Sequence, residues 1–432
     1  MIGPAPTTSL GRIVGHRAST AVSLAVLAFL AIAVAYPAVA MVRRFAGDEV
    51  LLSAGFTLRL IWFTFFQAAL STVLTVMVAL PLAHVLATYR IRFRSAVMAV
   101  VLIPFVLPTV VVAVAIRGLL GRFGFTVDGI DGSLLAILMA HVVFNVSVVV
   151  RMVGGYWGSL DQRMMEAAAA LGASPRRRMR RVTLPLLRPA LLAASAIVFL
   201  FTFTSFGVIV ILGGLSRATV ETEIYRFAIT RNDFGSAAML AVIQALAVAA
   251  VAFVNQRLQH RIHAPVSGAR LPHRRDVASP AARIYVALVM VSTLGLLLSP
   301  FLALVLRSFD VDGSFGLDHF TALVERPNVL PVSPLRALAN SIVFATAAAV
   351  LAGAVGTLAA VAAGTGSRWS RWVEAAVLVP LGISAVTLGF GYLVGFTFFE
   401  LRRSPVLVIV AHAVIGIPFV VGSVLPALRS LD

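Results

Sequence analysis

The stretch EAAAALGASPRRRMRRVTLP, from Glu166 to Pro185, lies between two long apolar runs. It carries four consecutive alanines, a lone glycine, a Ser-Pro pair and five arginines within the six residues 176–181. Its local chemistry predicts two helical pieces joined at a bend. Residues 161–171 read as a short helix because alanine has the highest helix propensity, and Gly172 supplies a left-handed stop. Ser174 as N-cap and Pro175 in the first turn restart a helix that runs to Pro185. Alanines 167–170 offer a smooth surface for close packing by a partner, and Glu166 can pair with a partner's basic group.

The surroundings of this island are those of a membrane protein. The 432 residues are 60% hydrophobic and 12% charged, and the mean hydropathy is +0.99. A soluble domain needs about twice that charge, so lipid must solvate most of the chain. The net charge is +18 and all 35 basic residues are arginines. They fall in short runs between apolar segments, a pattern of membrane topology and lipid-headgroup contact and not of a nucleic-acid-binding domain. The absence of cysteine excludes disulfides, thiolate metal sites and a catalytic thiol. The first apolar run, from Ala18 to Val42, is too long for a signal-peptide core and reads as a retained span.

Ten stretches of about 20 or more apolar residues follow one another at 18–42, 57–88, 95–119, 133–157, 186–212, 234–256, 281–307, 336–365, 371–398 and 404–428. The joints between them alternate in charge. Arg12 and Arg17, Arg90, Arg92 and Arg94, the island, the linker arginines, and Arg368 with Arg371 mark one side. Asp48 and Glu49, Asp128 and Asp131, Glu221, Glu223 and Asp233, Asp310 to Glu325, and Glu400 mark the other. The positive-inside rule then places the N-terminus and the island in the cytoplasm. The expected fold is all-α and polytopic, with about ten transmembrane helices.

A polar, Pro/Gly/Ser-containing linker at 257–280 divides the chain into halves that resemble each other. Ala140–Asp161 aligns without gaps on Ala411–Asp432, with nine of 22 positions identical, including Ala-His at the start and Ser-Leu-Asp at the end. Upstream, Val101–Pro108 aligns on Val377–Ser384, setting Pro104 opposite Pro380. These matches predict an internal duplication with two parallel repeats. Residues 1–256 hold the first repeat with an extra N-terminal span and the island segment 161–185, and 281–432 hold the second. On that register a second island begins five residues beyond Asp432, so the second repeat is expected to be incomplete at its C-terminus.

Glu166-Ala167-Ala168, Gly172, Val182 and Leu184-Pro185 match in residue and spacing the EAA signature of permease subunits of binding-protein-dependent ABC importers. The chain is similar to that family over most of its length, in particular to members that fuse two copies of the core. The resemblance implies the fold of a type I importer permease, in a bacterial inner membrane. Glu166 to Pro185 would be a coupling segment for a cytoplasmic ABC ATPase dimer, and a substrate-binding protein would dock on extracytoplasmic loops 213–233 and 308–335. The chain would itself be neither an enzyme nor a cofactor-binding protein, and it has no GxxxxGK[ST] phosphate loop. Ser205-Phe206-Gly207, Leu212-Gly213-Gly214, Thr219 with Glu221, Ile224-Tyr225 and Ala237-Ala238 look most like thiamine-type permeases, with ferric-iron permeases as the alternative.

Polar residues inside the predicted spans are candidates for lining a pathway or for interhelical hydrogen bonding. They are Gln67, His141, Asn145, Thr202, Thr204, Ser205, Asn340 and His412, with His141 and His412 at equivalent repeat positions. Pro104, Pro108 and Pro380 are expected to break or kink their spans. A rival class, the ion-coupled secondary carrier, calls for a mid-span carboxylate, and none is found in the ten stretches. No catalytic constellation or metal-ligand spacing is present.

Overall fold

A computed structural model describes residues 16–45, 52–125, 132–214, 216–260, 274–325, 331–396 and 404–430. Arg12, Asp48, Glu49, Asp128, Asp131, Glu400 and Asp432 lie outside them, as do linker residues 261–273. The described chain is helical apart from the two-residue strands Asp310–Val311 and Ser314–Phe315, which pair as a hairpin. Eight of the ten apolar stretches contain a helix long and apolar enough to cross a membrane. Serine and proline set many of the helix starts: Ser174, Ser279 and Ser404 accept backbone N–H bonds, and Pro175, Pro280, Pro334 and Pro405 open their helices.

The other two stretches are broken, and at the same register. Arg94–Val106 and Thr109–Arg122 meet at 100°, with Leu107 and Pro108 both extended between them. Ser370–Leu378 runs into a 3₁₀ turn, Val379–Gly382, and Ala385–Gly395 starts afresh after extended Ile383 and Ser384. Leu107-Pro108 and Ile383-Ser384 are opposite each other in the aligned octapeptides. The first break uses proline, whose ring holds φ and drives the preceding residue out of the helical region. The second uses the side chain of Ser384, which accepts from the Thr387 N–H at 3.0 Å.

The chain packs as two compact units. One comprises Leu52–Thr222 and Leu246–Gly316. Here Ala54–Thr88 lies along Leu134–Gly158, Leu184–Phe203 packs on both, and Pro280–Ser308 packs on Thr109–Arg122. Leu82, Leu86, Ile116, Ile137, Leu187, Ile209 and Leu212 are wholly buried in its core. Gly154 brings the first two helices close, since a Cβ there would stand 3.5 Å from the Ala83 Cα.

The other unit comprises Met1–Leu51, Glu223–Ala245 and Leu317–Asp432. Its main pair is Pro334–Gly364 with Pro405–Arg429, crossing where Gly356 faces Val420. The first span, His16–Leu30 continued through the π turn Ala31–Ala35 into Tyr36–Phe45, belongs to this unit. Pro37 sits against Gly391 and Gly395, a small-xxx-small pair that lets two helices approach closely. Tyr36 donates to the Gly395 carbonyl at 3.0 Å, and Ser19 donates to Thr365 at 2.9 Å. The span leading each half in sequence thus packs with helices of the other half: 18–42 with 334–429, and 281–307 with 54–122. Sequence order gave no sign of this exchange.

Candidate functional site

Asp161 caps the first island helix, Gln162–Ala170, by accepting from the Arg163 N–H at 2.9 Å. The helix ends on Gly172, whose φ of +78° is strained for any side-chain-bearing residue although the space around it is open. The Gly172 N–H reaches the Ala169 carbonyl at 2.9 Å and that of Ala173 reaches Ala168 at 3.0 Å, satisfying the helix's last acceptors. Ser174 then caps Pro175–Arg178.

From there the helix does not stop at Pro185 as the sequence predicts. It passes through a π turn, Met179–Thr183, and continues as Leu184–Phe203 with Pro185 and Pro189 inside. Proline usually breaks a helix by clashing with the carbonyl four residues back and by lacking a donor. The π turn, closed by the Leu184 N–H on the Met179 carbonyl, widens the backbone just before Pro185 and relieves that conflict. Buried Thr183 donates to the Met165 sulfur at 3.3 Å, tying the short helix to the base of the long one. Glu166, Ala167, Gly172 and Pro185 are exposed, while Ala168, Val182 and Leu184 are half-buried. Leu171 is 88% exposed. So large an apolar side chain at the tip of a polar, arginine-rich bend is a contact residue in waiting, and the EAA spacing does not include it.

At the far end of Leu184–Phe203 lies a buried polar network. Ser71 Oγ is 2.9 Å from His141 Nδ1, and His141 Nε2 is 2.9 Å from Ser205 Oγ. Gln67 donates to the carbonyls of Thr202 at 2.9 Å and Thr64 at 3.1 Å. Asn145 donates to the His141 carbonyl, and Thr202 donates to carbonyls of its own helix. These side chains are less than a tenth exposed. The network joins three spans where the chain leaves the helix at Thr204–Phe206 before re-entering it as Gly207–Leu212. Thr204 itself bonds back to Leu200 and is half-buried.

Repeat equivalence does not carry over to His412. It is exposed and bonds the Val408 carbonyl of its own helix at 2.7 Å. Asn340 is likewise exposed. Among the acids assigned to joints, Glu221 and Glu223 are buried, Glu223 with Arg226 at 2.6 Å. Nearby, the Val220 N–H donates to Thr64 Oγ1 at 3.0 Å, so residues 219–224 are packed and not a solvated loop. Among the described residues no group of three or more His, Cys, Asp or Glu side chains could hold a metal ion.

Residues 79–264 match the model of the family described as the binding-protein-dependent transport system inner membrane component. The chain is 34% identical over 264 residues to a thiamine transport system permease protein of Salmonella typhimurium, covering 56% of this chain and 47% of the relative. It is 28% identical over 386 residues to the protein of that description from Brucella abortus, covering 84% and 68%. A molybdenum transport system permease protein of Mycobacterium bovis is 32% identical over 196 residues, covering 43% of this chain and 74% of the relative. The chain thus spans about half the length of the Salmonella relative.

Proposed function

This chain belongs to the inner membrane components of binding-protein-dependent transport systems, and from that membership we propose that it is the permease subunit of an ATP-driven importer of thiamine. In this reading the chain is a multi-pass pathway with its N-terminus in the cytoplasm. It is built from two parallel repeats, 1–256 and 281–432, joined by the linker 257–280. A separate ABC ATPase dimer hydrolyses ATP, and a substrate-binding protein delivers the substrate at 213–233 and 308–335. The names of the Salmonella and Brucella relatives favour thiamine over ferric iron.

The observation that carries the proposal is the continuity of one helix. Residues 175–203 run unbroken for about 43 Å at 1.5 Å per residue. At one end, Thr183 and Met165 hold the exposed segment with Glu166, Leu171 and Gly172. At the other, Thr202 and Ser205 enter the Gln67–Ser71–His141 network. Movement of a docked ATPase pushes on the exposed segment, the helix transmits it as a lever, and the non-helical Thr204–Phe206 joint yields. Rigid-body rocking of this kind gives alternating access without chemistry in the permease.

Co-expression with a P-loop ATPase partner and the binding protein tests the reading. Glu166→Ala, Leu171→Ala and Gly172→Val are expected to lower ATPase copurification and coupled thiamine uptake at least tenfold while leaving the permease folded in the membrane. Undiminished uptake in all three variants would sink the coupling role.

A further inference from the structure

In the same compact unit as the exposed segment lies a second feature that the transport reading does not use. The loop 89–93 and the end of the linker form a cleft of about 770 Å³ lined by Arg90, Arg92, Arg94, Arg274, Arg275 and Asp276. Its two walls come from residues some 180 positions apart, joined by backbone bonds: the Arg90 N–H to the Arg275 carbonyl at 2.9 Å, and the Arg275 N–H to the Thr88 carbonyl at 2.9 Å. The arginines are therefore gathered on a fixed frame. One carboxylate faces five guanidiniums, and its contact with Arg90, at 3.7 Å, is solvent-exposed and weak. Arg274 Nε is buried with no hydrogen-bond partner. Five guanidiniums gathered around one unpartnered buried donor are the chemistry that receives an anion.

What surrounds the cleft identifies the anion's carrier. One turn into the bundle, His84 contacts Tyr89, Trp157 and Tyr285, with ring centroids 6.1, 5.0 and 5.7 Å away, and its Nδ1 is 3.0 Å from the Tyr285 hydroxyl. Such aromatic groups gather where headgroups meet hydrocarbon. Phe93, under Arg92, is 67% exposed, and Ile284 and Leu288, on the helix of Tyr285, are 68% and 63% exposed. A phosphate held by the arginines would have apolar surface beside it for acyl chains. We propose that this cleft, linked through Tyr89, His84 and Trp157 to the helix that leads into the segment 162–172, binds the phosphodiester headgroup of an anionic phospholipid. Trp157 stands four residues before Asp161, so a bound lipid braces the helix end from which that segment emerges.

The test uses the full chain purified in detergent, with retained lipid read by native mass spectrometry. Phosphatidylglycerol should be retained over phosphatidylcholine by about tenfold, as expected for several arginines at a membrane surface. R92Q/R274Q/R275Q should bring that ratio to about one, while R176Q/R177Q/R180Q, with equal charge removed from the island, should leave it unchanged. Millimolar inorganic phosphate should not displace the lipid. Equal retention of the two lipids, equal loss in both triple variants, or displacement by free phosphate each overturns the assignment.

Discussion

The Ala-His doublet occurs at 140–141 and again at 411–412, on helices that align residue for residue, yet its two histidines live in different surroundings. His141 is buried between two serine hydroxyls, one from the helix Ala54–Thr88 and one from the non-helical joint Thr204–Phe206. His412 is exposed and bonds only within its own helix. The extended dipeptides at Leu107-Pro108 and Ile383-Ser384, by contrast, interrupt the two halves at one register. The two aligned stretches share the backbone break and differ in what their side chains meet. A helix break needs only a local device, proline in one half and a serine cap in the other. A buried polar contact needs partners on other elements, and those differ between the two histidines.

The largest effect that could break this comparison is at the histidines. His141→Ala leaves Ser71 and Ser205 without their shared partner in a water-poor interior and should destabilise by about 2 kcal/mol. His412→Ala should fall within about 0.5 kcal/mol, the range of exposed sites. Unfolding in mixed micelles measures both, and equal losses would restore functional equivalence to the pair.

The glycine crossings come next. A Cβ at Gly356 would meet Val420 Cβ at 2.6 Å, whereas one at Gly154 meets nothing nearer than 3.5 Å. Gly356→Ala should therefore cost about 1–3 kcal/mol through overpacking. Gly154→Ala should be close to neutral, and the same unfolding measurement ranks the two. The smallest effect tests the shared break. Ser384→Pro converts the second device into the first, on a backbone already at φ −70° after an extended Ile383. Loss of the serine cap limits the change to about 1 kcal/mol. A fall well beyond that would mean that the two breaks are not interchangeable.

Much of this architecture is legible in the residues. Apolar length and charge alternation locate the spans, Ser-Pro pairs mark helix starts, and Gly172 marks the left-handed turn. What escapes has a physical reason in each instance. Pro185 reads as a terminator because local rules do not anticipate a π turn that makes room for it. Leu171, between Ala170 and Gly172, draws no notice in the sequence because exposure is a tertiary property. The exchange of leading spans, and the meeting of Arg90 with Arg275, depend on contacts between residues hundreds or scores of positions apart, for which a single sequence carries no periodic signal.

The π turn at Met179–Thr183 also fixes a rotational phase. Each residue of an α-helix advances the chain by about 100° around its axis. One extra residue in the turn therefore decides which way everything before it points. Deleting a single residue from MRRVT would leave the membrane spans and the exposed face of 162–172 chemically untouched, while swinging that face by about a quarter of a circle. The aim of the segment is thus encoded apart from the composition of 162–172, in the five residues of the turn.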